Sequence, residues 1–159
     1  MNQVAALVNQ FETVYNGEPW YGNPISKILE DITEDDAFWE PTEGTHSIAQ
    51  LVSHIIYWRQ SVIKKLENDL EYKASMKSED NWRTTEDLKL LGWKNILDQF
   101  EESQKKIVTL LAKEDDSFLE KPYSAKATMH ELIKGIIQHD IYHLGQIAYI
   151  KSINNKKKV

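Results

Sequence analysis

Helix-breaking residues are scarce in this chain and unevenly placed. The four prolines are Pro19, Pro24, Pro41 and Pro122, so three fall before residue 42 and none lies between Pro41 and Pro122. Long stretches without glycine or proline favour helices over strands. The apolar period agrees. Val4, Leu7, Val8, Phe11, Val14 and Tyr15 recur at spacings of three and four, the period of one helix face. Residues 17–24 break that helix, and a short one follows over 25–32, with Phe38 and Trp39 packing its exit. Residues 40–45 read as a loop. Ser47 and Gln50 form a capping box, in which each side chain satisfies an amide at the first turn. The second long helix therefore starts near Ser47 and runs to about Asp69. Residues 70–84 are polar and mixed, a loop that carries Trp82. A third helix is expected over 86–113. Gly92 falls inside it at a cost of about 1 kcal/mol, which implies close packing there. Thr128 and Glu131 make a second capping box, and the last helix is expected to reach about Ile153.

Four amphipathic helices with few strand signals predict an all-α fold, a four-helix bundle. The long middle connection permits up-down topology or a crossover. A single domain is expected over residues 1–159, ending in a frayed basic tail over 154–159 that holds Lys156, Lys157 and Lys158. The net charge of −6 argues against a nucleic-acid binder, which would carry a basic patch. No run approaches the roughly 20 apolar residues of a spanning helix. Residues 1–16 lack a basic region and a cleavage site, so the cytoplasm is the expected compartment.

The chain has no cysteine and five histidines. Disulfides, Fe–S clusters and thiolate metal sites are thereby excluded, and a transition metal would need histidine and carboxylate ligands. His139 and His143 are four apart, which puts both rings on one helix face. On a helical wheel of about 100° per residue, both flank the apolar arc of the last helix, and His54 flanks that of the second. A lone histidine at a core edge is ordinarily structural. Two at helical spacing, with a third on another helix, point to a metal site facing a pocket at a helix seam. His46 and His130 sit beside the capping boxes and read as surface or capping residues. Three protein ligands leave coordination positions open, the pattern of a catalytic centre rather than a structural one. Zinc, nickel, iron and manganese all suit such a donor set. The cation would lower the pKa of a water or of a thiol.

Arg59 and Asp140 fall near the middle of their apolar arcs, where charge is costly unless paired. They are expected to pair with each other or with other polar core groups, or Asp140 to accept a hydrogen bond from a ligand imidazole; helices rotated from this estimate would instead let both reach water. Gln146 shares the face of His143 and could line the pocket. Trp58, Trp20 and Tyr21 are candidates for an aromatic wall, although aromatic residues at helical spacing are more often plain core.

Three stretches resemble one family. They are WYGNPISKILEDI with SIAQLVSHIIYWRQSVIKKLEND, the isolated Asn81–Trp82 pair, and TMHELIKGIIQHDIYHLGQIAYIKS with its H-x-x-x-H pair. The chain resembles the DinB-like superfamily, which includes relatives of bacillithiol transferase and proteins described as metal-dependent hydrolases. The resemblance implies a four-helix bundle holding a divalent metal on His54, His139 and His143, and homodimers are frequent in the family. It implies transfer of a low-molecular-weight thiol to an electrophilic small molecule, with zinc or nickel as the first candidates and iron or manganese next. Asp140 and Gln146 would then be outer residues of a catalytic site. Two alternatives stand beside it: a hydrolase working through an activated water, and a stress-related metal-binding protein without catalysis.

Overall fold

The structure is a computed structural model that describes residues 2–157. Eight helices are present among them: α1 (Gln3–Asn16), α2 (Ile25–Leu29), α3 (Glu34–Phe38), α4 (Ile48–Leu66), α5 (Thr85–Leu91), α6 (Trp93–Leu111), α7 (Asp116–Leu119) and α8 (Met129–Lys157). A 3₁₀ turn lies at Glu79–Trp82, and β1 (Pro122–Ser124) pairs antiparallel with β2 (Ala127–Thr128).

Both expected capping boxes form. Gln50 N–H donates to Ser47 Oγ (3.2 Å) and Ser47 N–H to Gln50 Oε1 (3.0 Å). Thr128 N–H donates to Glu131 Oε2 (2.7 Å) and Glu131 N–H to Thr128 Oγ1 (3.4 Å). The first turn of α1 draws on a distant residue as well as on its own cap. Asn2 Oδ1 accepts from Ala5 N–H, and the Asp116 carboxylate accepts from Gln3 and Val4. A carboxylate at a helix N-terminus also complements the helix dipole.

The four long helices close around one core. α4 packs on α6 and α8, and α1 packs on the same two, so the cyclic order is α1–α6–α4–α8. The first and second long helices are thus diagonal to each other, as are the third and fourth. The middle connection joins neighbours, and the crossovers are the other two connections. Leu51, Ile55, Val62, Ile107, Ile133 and Ile147 are among the buried core side chains. Each such burial contributes about 1.5–3 kcal/mol.

Three expectations change. The third helix is two helices, because Gly92 adopts φ 83°, ψ 145° and caps both the end of α5 and the start of α6. A Cβ at Gly92 would meet nothing within 4 Å, so backbone conformation rather than close packing calls for glycine there. The connection to α8 contains α7 and the small hairpin rather than plain loop. The expected frayed tail is helical to Lys157, while residues 158–159 lie outside those described. Asn154 is buried and donates to Asp36 Oδ1 at 2.7 Å, and Lys157 Nζ lies 4.6 Å from the Trp39 ring centre.

Candidate metal centre

His54 on α4 and His139 and His143 on α8 converge. One nitrogen from each lies within 4.8 Å of the others. His54 and His143 are buried and His139 is half-buried. The α4–α8 packing that joins them is fixed by the charge pair expected from the sequence. Arg59 Nε and Nη2 donate to Asp140 Oδ2 at 2.9 and 2.8 Å, with both side chains 1% exposed. Arg59 Nη1 also reaches Ser103 Oγ at 3.2 Å, and the guanidinium lies 4.4 Å from the centre of the Phe100 ring.

Hydrogen bonds to the far nitrogens set the tautomers. His54 Nδ1–H donates to the Asn81 carbonyl at 2.8 Å, and His143 Nδ1–H donates to Gln146 Oε1 at 2.6 Å. Each leaves its Nε2 lone pair available to a cation, the usual role of such outer partners. Burial pushes the His54 pKa down to about 4, helped by the neighbouring imidazoles and opposed by the Asn81 carbonyl. Burial also lowers that of His143, against the Gln146 bond. Both rings are therefore neutral at pH 7, as metal ligands must be.

The third ring supplies the test of fit. His139 Nε2 is 3.1 Å from His54 Nε2, while His139 Nδ1 is buried with no hydrogen-bond partner. That Nδ1 is 3.9 Å from Asp140 Oδ1, which is also unpartnered. A proton on Nε2 would bridge the two rings but leave a bare nitrogen facing a bare carboxylate oxygen. A proton on Nδ1 removes that conflict but opposes two lone pairs at 3.1 Å. A cation held by the Nε2 atoms reconciles both requirements, so the donor set suits a metal.

Two aromatic residues wall the centre. Trp82 stacks on His54 (3.8 Å between centroids, 10°), and the exposed His46 stacks on the other face of Trp82 (3.7 Å, 3°). Trp58 presents edge-on geometry to His54 and His139, and its Nε1–H donates to Asn81 Oδ1 at 2.9 Å. Trp58 and His139 also line a cavity of about 520 Å³ between α4, α8 and the loop that follows α4.

The other sequence candidates divide. Gln146 lies against His143, as its spacing indicated. Asp140 is engaged by Arg59 rather than by a ligand imidazole. Trp20 is fully exposed and Tyr21 lines a separate, larger cavity of about 1230 Å³ that includes no histidine, so neither joins the wall. Both lie on the loop between α1 and α2. His46 is at the surface as expected, though stacked, and His130 stays outside the cluster.

The residue missed by spacing is Asn81, 1% exposed, which binds His54 through its carbonyl and Trp58 through its side chain. Its backbone role carries no residue-type signal. Its adjacency to Trp82 is the one trace of it in the sequence. Tyr142, edge-on to His143 at 5.0 Å, was also missed.

A family model described as the DinB superfamily matches residues 24–147. No curated protein matches the chain. Among solved structures, it is similar to the crystal structure of a DinB-like protein, YjoA, from Bacillus subtilis. The TM-score is 0.61 at 18% identity, over 94% of this chain and 92% of that one. Likeness at that identity speaks for the fold alone.

Proposed function

The chain belongs to the DinB superfamily, and from that premise we propose that it is a divalent-metal-dependent enzyme transferring a low-molecular-weight thiol to an electrophilic small molecule. The observation that carries the reading is the three-imidazole cluster, two of whose rings have their tautomers set, at the edge of a cavity of about 520 Å³. A cavity of that size suits a small molecule. A divalent cation on His54, His139 and His143, with zinc or nickel as the first candidates, would supply the Lewis acidity that makes a thiol ionise near neutral pH.

The protein's own residues do the positioning. The Asn81 carbonyl and Gln146 Oε1 aim two ligand nitrogens, and the Trp82 ring shields one face of His54 from water. With no cysteine in the chain, the sulfur must come with the cosubstrate. In the transfer, a sulfur–carbon bond forms, the bond from carbon to the leaving group breaks, and the thiol proton departs to solvent or to that group.

Hydrolysis is less well served, because it calls for a general base beside the water. Asp140 is held by Arg59, and Glu131 on the cavity lining caps the Thr128 amide. We further take the protein to act in the cytoplasm, as a homodimer, on small molecules rather than nucleic acid. No helix among the described residues is long and apolar enough to cross a membrane.

The test is to load purified protein with Zn²⁺ or Ni²⁺ and offer a thiol with a chlorinated aromatic or an epoxide. Thioether formation that is lost in folded His143→Ala is the expected result. Metal binding without thioether formation overturns the reading, as does turnover of acyl esters alone.

A further inference from the structure

The same cavity carries information on what binds in it. His54 meets His143 (ring centroids 4.7 Å apart), and Trp58 meets His139 (6.2 Å). Four residues forward on α4 is thus four residues back on α8, so the two helices run antiparallel. The cavity follows their seam from Trp58 and His139 to Lys65 and Glu131. Seven residues separate Trp58 from Lys65, a length of about 10 Å along the helix.

Its walls are mostly apolar, with Val62, Leu132 and Ile136 joined by the rings of Trp58, Tyr72 and Tyr123. The far end is cationic. Lys65 is 7% exposed, and its ammonium donates to the carbonyls of Asp69 (3.1 Å), Leu70 (2.6 Å) and Tyr72 (2.5 Å). Those dipoles satisfy its hydrogens but leave its charge uncancelled. Lys73, exposed on the rim, adds a second cation. Neither lysine has a carboxylate within ion-pair distance among the described residues. Glu131 offsets one of the two charges on the lining.

Gly135 is the third element. It lies inside α8, where glycine is unfavourable relative to alanine, and it has no positive φ to require it. A Cβ there would meet nothing within 4 Å, and the position lines the cavity. Neither backbone conformation nor a tight contact accounts for glycine at this place, and a larger side chain there would extend into the cavity.

We propose that this cavity binds an elongated organic anion: an apolar, ring-bearing body beside Gly135, with its acidic group toward Lys65 and Lys73 and its other end at His139. Under the thiol-transfer reading, on which only the identity of the reacting end rests, this ligand is the electrophile. Its reactive carbon then lies about 10 Å from its acidic group.

The test is binding in metal-free protein without thiol, so that its outcome is independent of turnover. The probes are 1-anilinonaphthalene-8-sulfonate and its uncharged counterpart N-phenyl-1-naphthylamine, titrated by fluorescence. The sulfonate is expected to bind about tenfold tighter than the neutral dye. Lys73→Gln, at an exposed site that does not threaten folding, narrows that gap and leaves the neutral dye unchanged. Gly135→Leu weakens both dyes by about tenfold without lowering the melting temperature. Gly135→Ala, the milder variant, weakens them less and melts higher. Equal affinity of the two dyes, or a gap that Lys73→Gln leaves unchanged, overturns the anionic assignment. Undiminished binding in folded Gly135 variants overturns the location. If binding behaves as expected and no thioether forms, the proposed function fails while the pocket assignment stands.

Discussion

Removing Arg59 isolates what the buried pair does for the α4–α8 seam. In Arg59→Met the apolar stem is kept and the guanidinium is lost. Both charge-assisted bonds end on the same oxygen, Asp140 Oδ2, while Oδ1 has no partner. The variant therefore leaves a 1%-exposed carboxylate with neither oxygen satisfied. At the 2.8 Å separation, an effective dielectric of about 20 gives an attraction of about 6 kcal/mol, most of which offsets the desolvation of the two ions. What is lost on removing one partner is the compensation and not the penalty, so the expected destabilisation is about 3–5 kcal/mol. For a chain of this length that lowers the melting temperature by about 6–20 °C. Replacing Asp140 as well, in Arg59→Met/Asp140→Leu, removes both ions. The double variant should be more stable than either single one, with a coupling of about 2 kcal/mol or more. Urea unfolding of the four metal-free proteins, followed by circular dichroism, measures the cycle. High salt should change the coupling little, since the pair is away from solvent. A single-variant cost below about 1 kcal/mol, or additive costs, would refute the reasoning.

Metal at about a thousandfold over its Kd should stabilise the protein by about 4 kcal/mol, seen as a rise in melting temperature. That rise should vanish in His54→Ala and His143→Ala. Gln146→Leu should retain the fold and bind metal about 10–100-fold more weakly by competition titration, since it loses the partner of His143 Nδ1. The His54 pKa near 4 in the folded state lies below its usual 6.5, so the unfolded chain takes up more protons between those values. The stability this neutral ring permits is complete above pH 6.5 and falls as pH drops toward 4. Metal-free unfolding titrations should show that slope, and His54→Gln should flatten it. Gly92→Ala should destabilise by about 1–3 kcal/mol through its positive φ, whereas a glycine inside a continuous helix would gain from the change; chemical denaturation separates the two.

Legibility followed the kind of signal involved. Capping boxes and the three-and-four period are local, and they placed α1, α4 and α8 well. Helix propensity does not reveal the division of α5 from α6, because the positive φ of Gly92 is a backbone property that residue type permits without requiring. At about 100° per residue, Leu88, Trp93, Ile96, Phe100, Ile107 and Leu111 all fall on one face, so the apolar period runs through the break and does not mark it. At the centre, His139 and His143 were found because one helix carries both, and His54 because it flanks its own core. Arg59 and Asp140 were found because a charge inside an apolar arc demands a partner. Asn81 acts on His54 through a main-chain carbonyl, which any residue possesses. Trp20 and Tyr21 are candidates for the wall by residue type alone, and type says nothing of which way a loop folds.

The polar loop after α4 has a physical reason for its composition. It returns along α4, from the C-terminal end toward the N-terminal end, and is fastened at each level. Lys65 gathers the carbonyls of Asp69, Leu70 and Tyr72. Tyr57 Oη donates to the Ser75 carbonyl at 3.0 Å and accepts from Ser75 N–H at 2.7 Å. His54 donates to the Asn81 carbonyl, and Gln50 Nε2 donates to the Arg83 carbonyl at 3.1 Å. Going down α4 through 65, 57, 54 and 50 means going up the loop through 69–72, 75, 81 and 83. Such a strap has no use for an apolar period, because main-chain groups meeting polar side chains hold it. Its polarity is therefore what lets it carry the Asn81 carbonyl and the Trp82 ring back to His54. The same strap supplies Leu70, Tyr72, Lys73 and Ala74 to the cavity beside His139. One connection thus orients a metal ligand and forms a wall of the space in front of it, so the order of the site and the shape of the pocket depend on the same few hydrogen bonds.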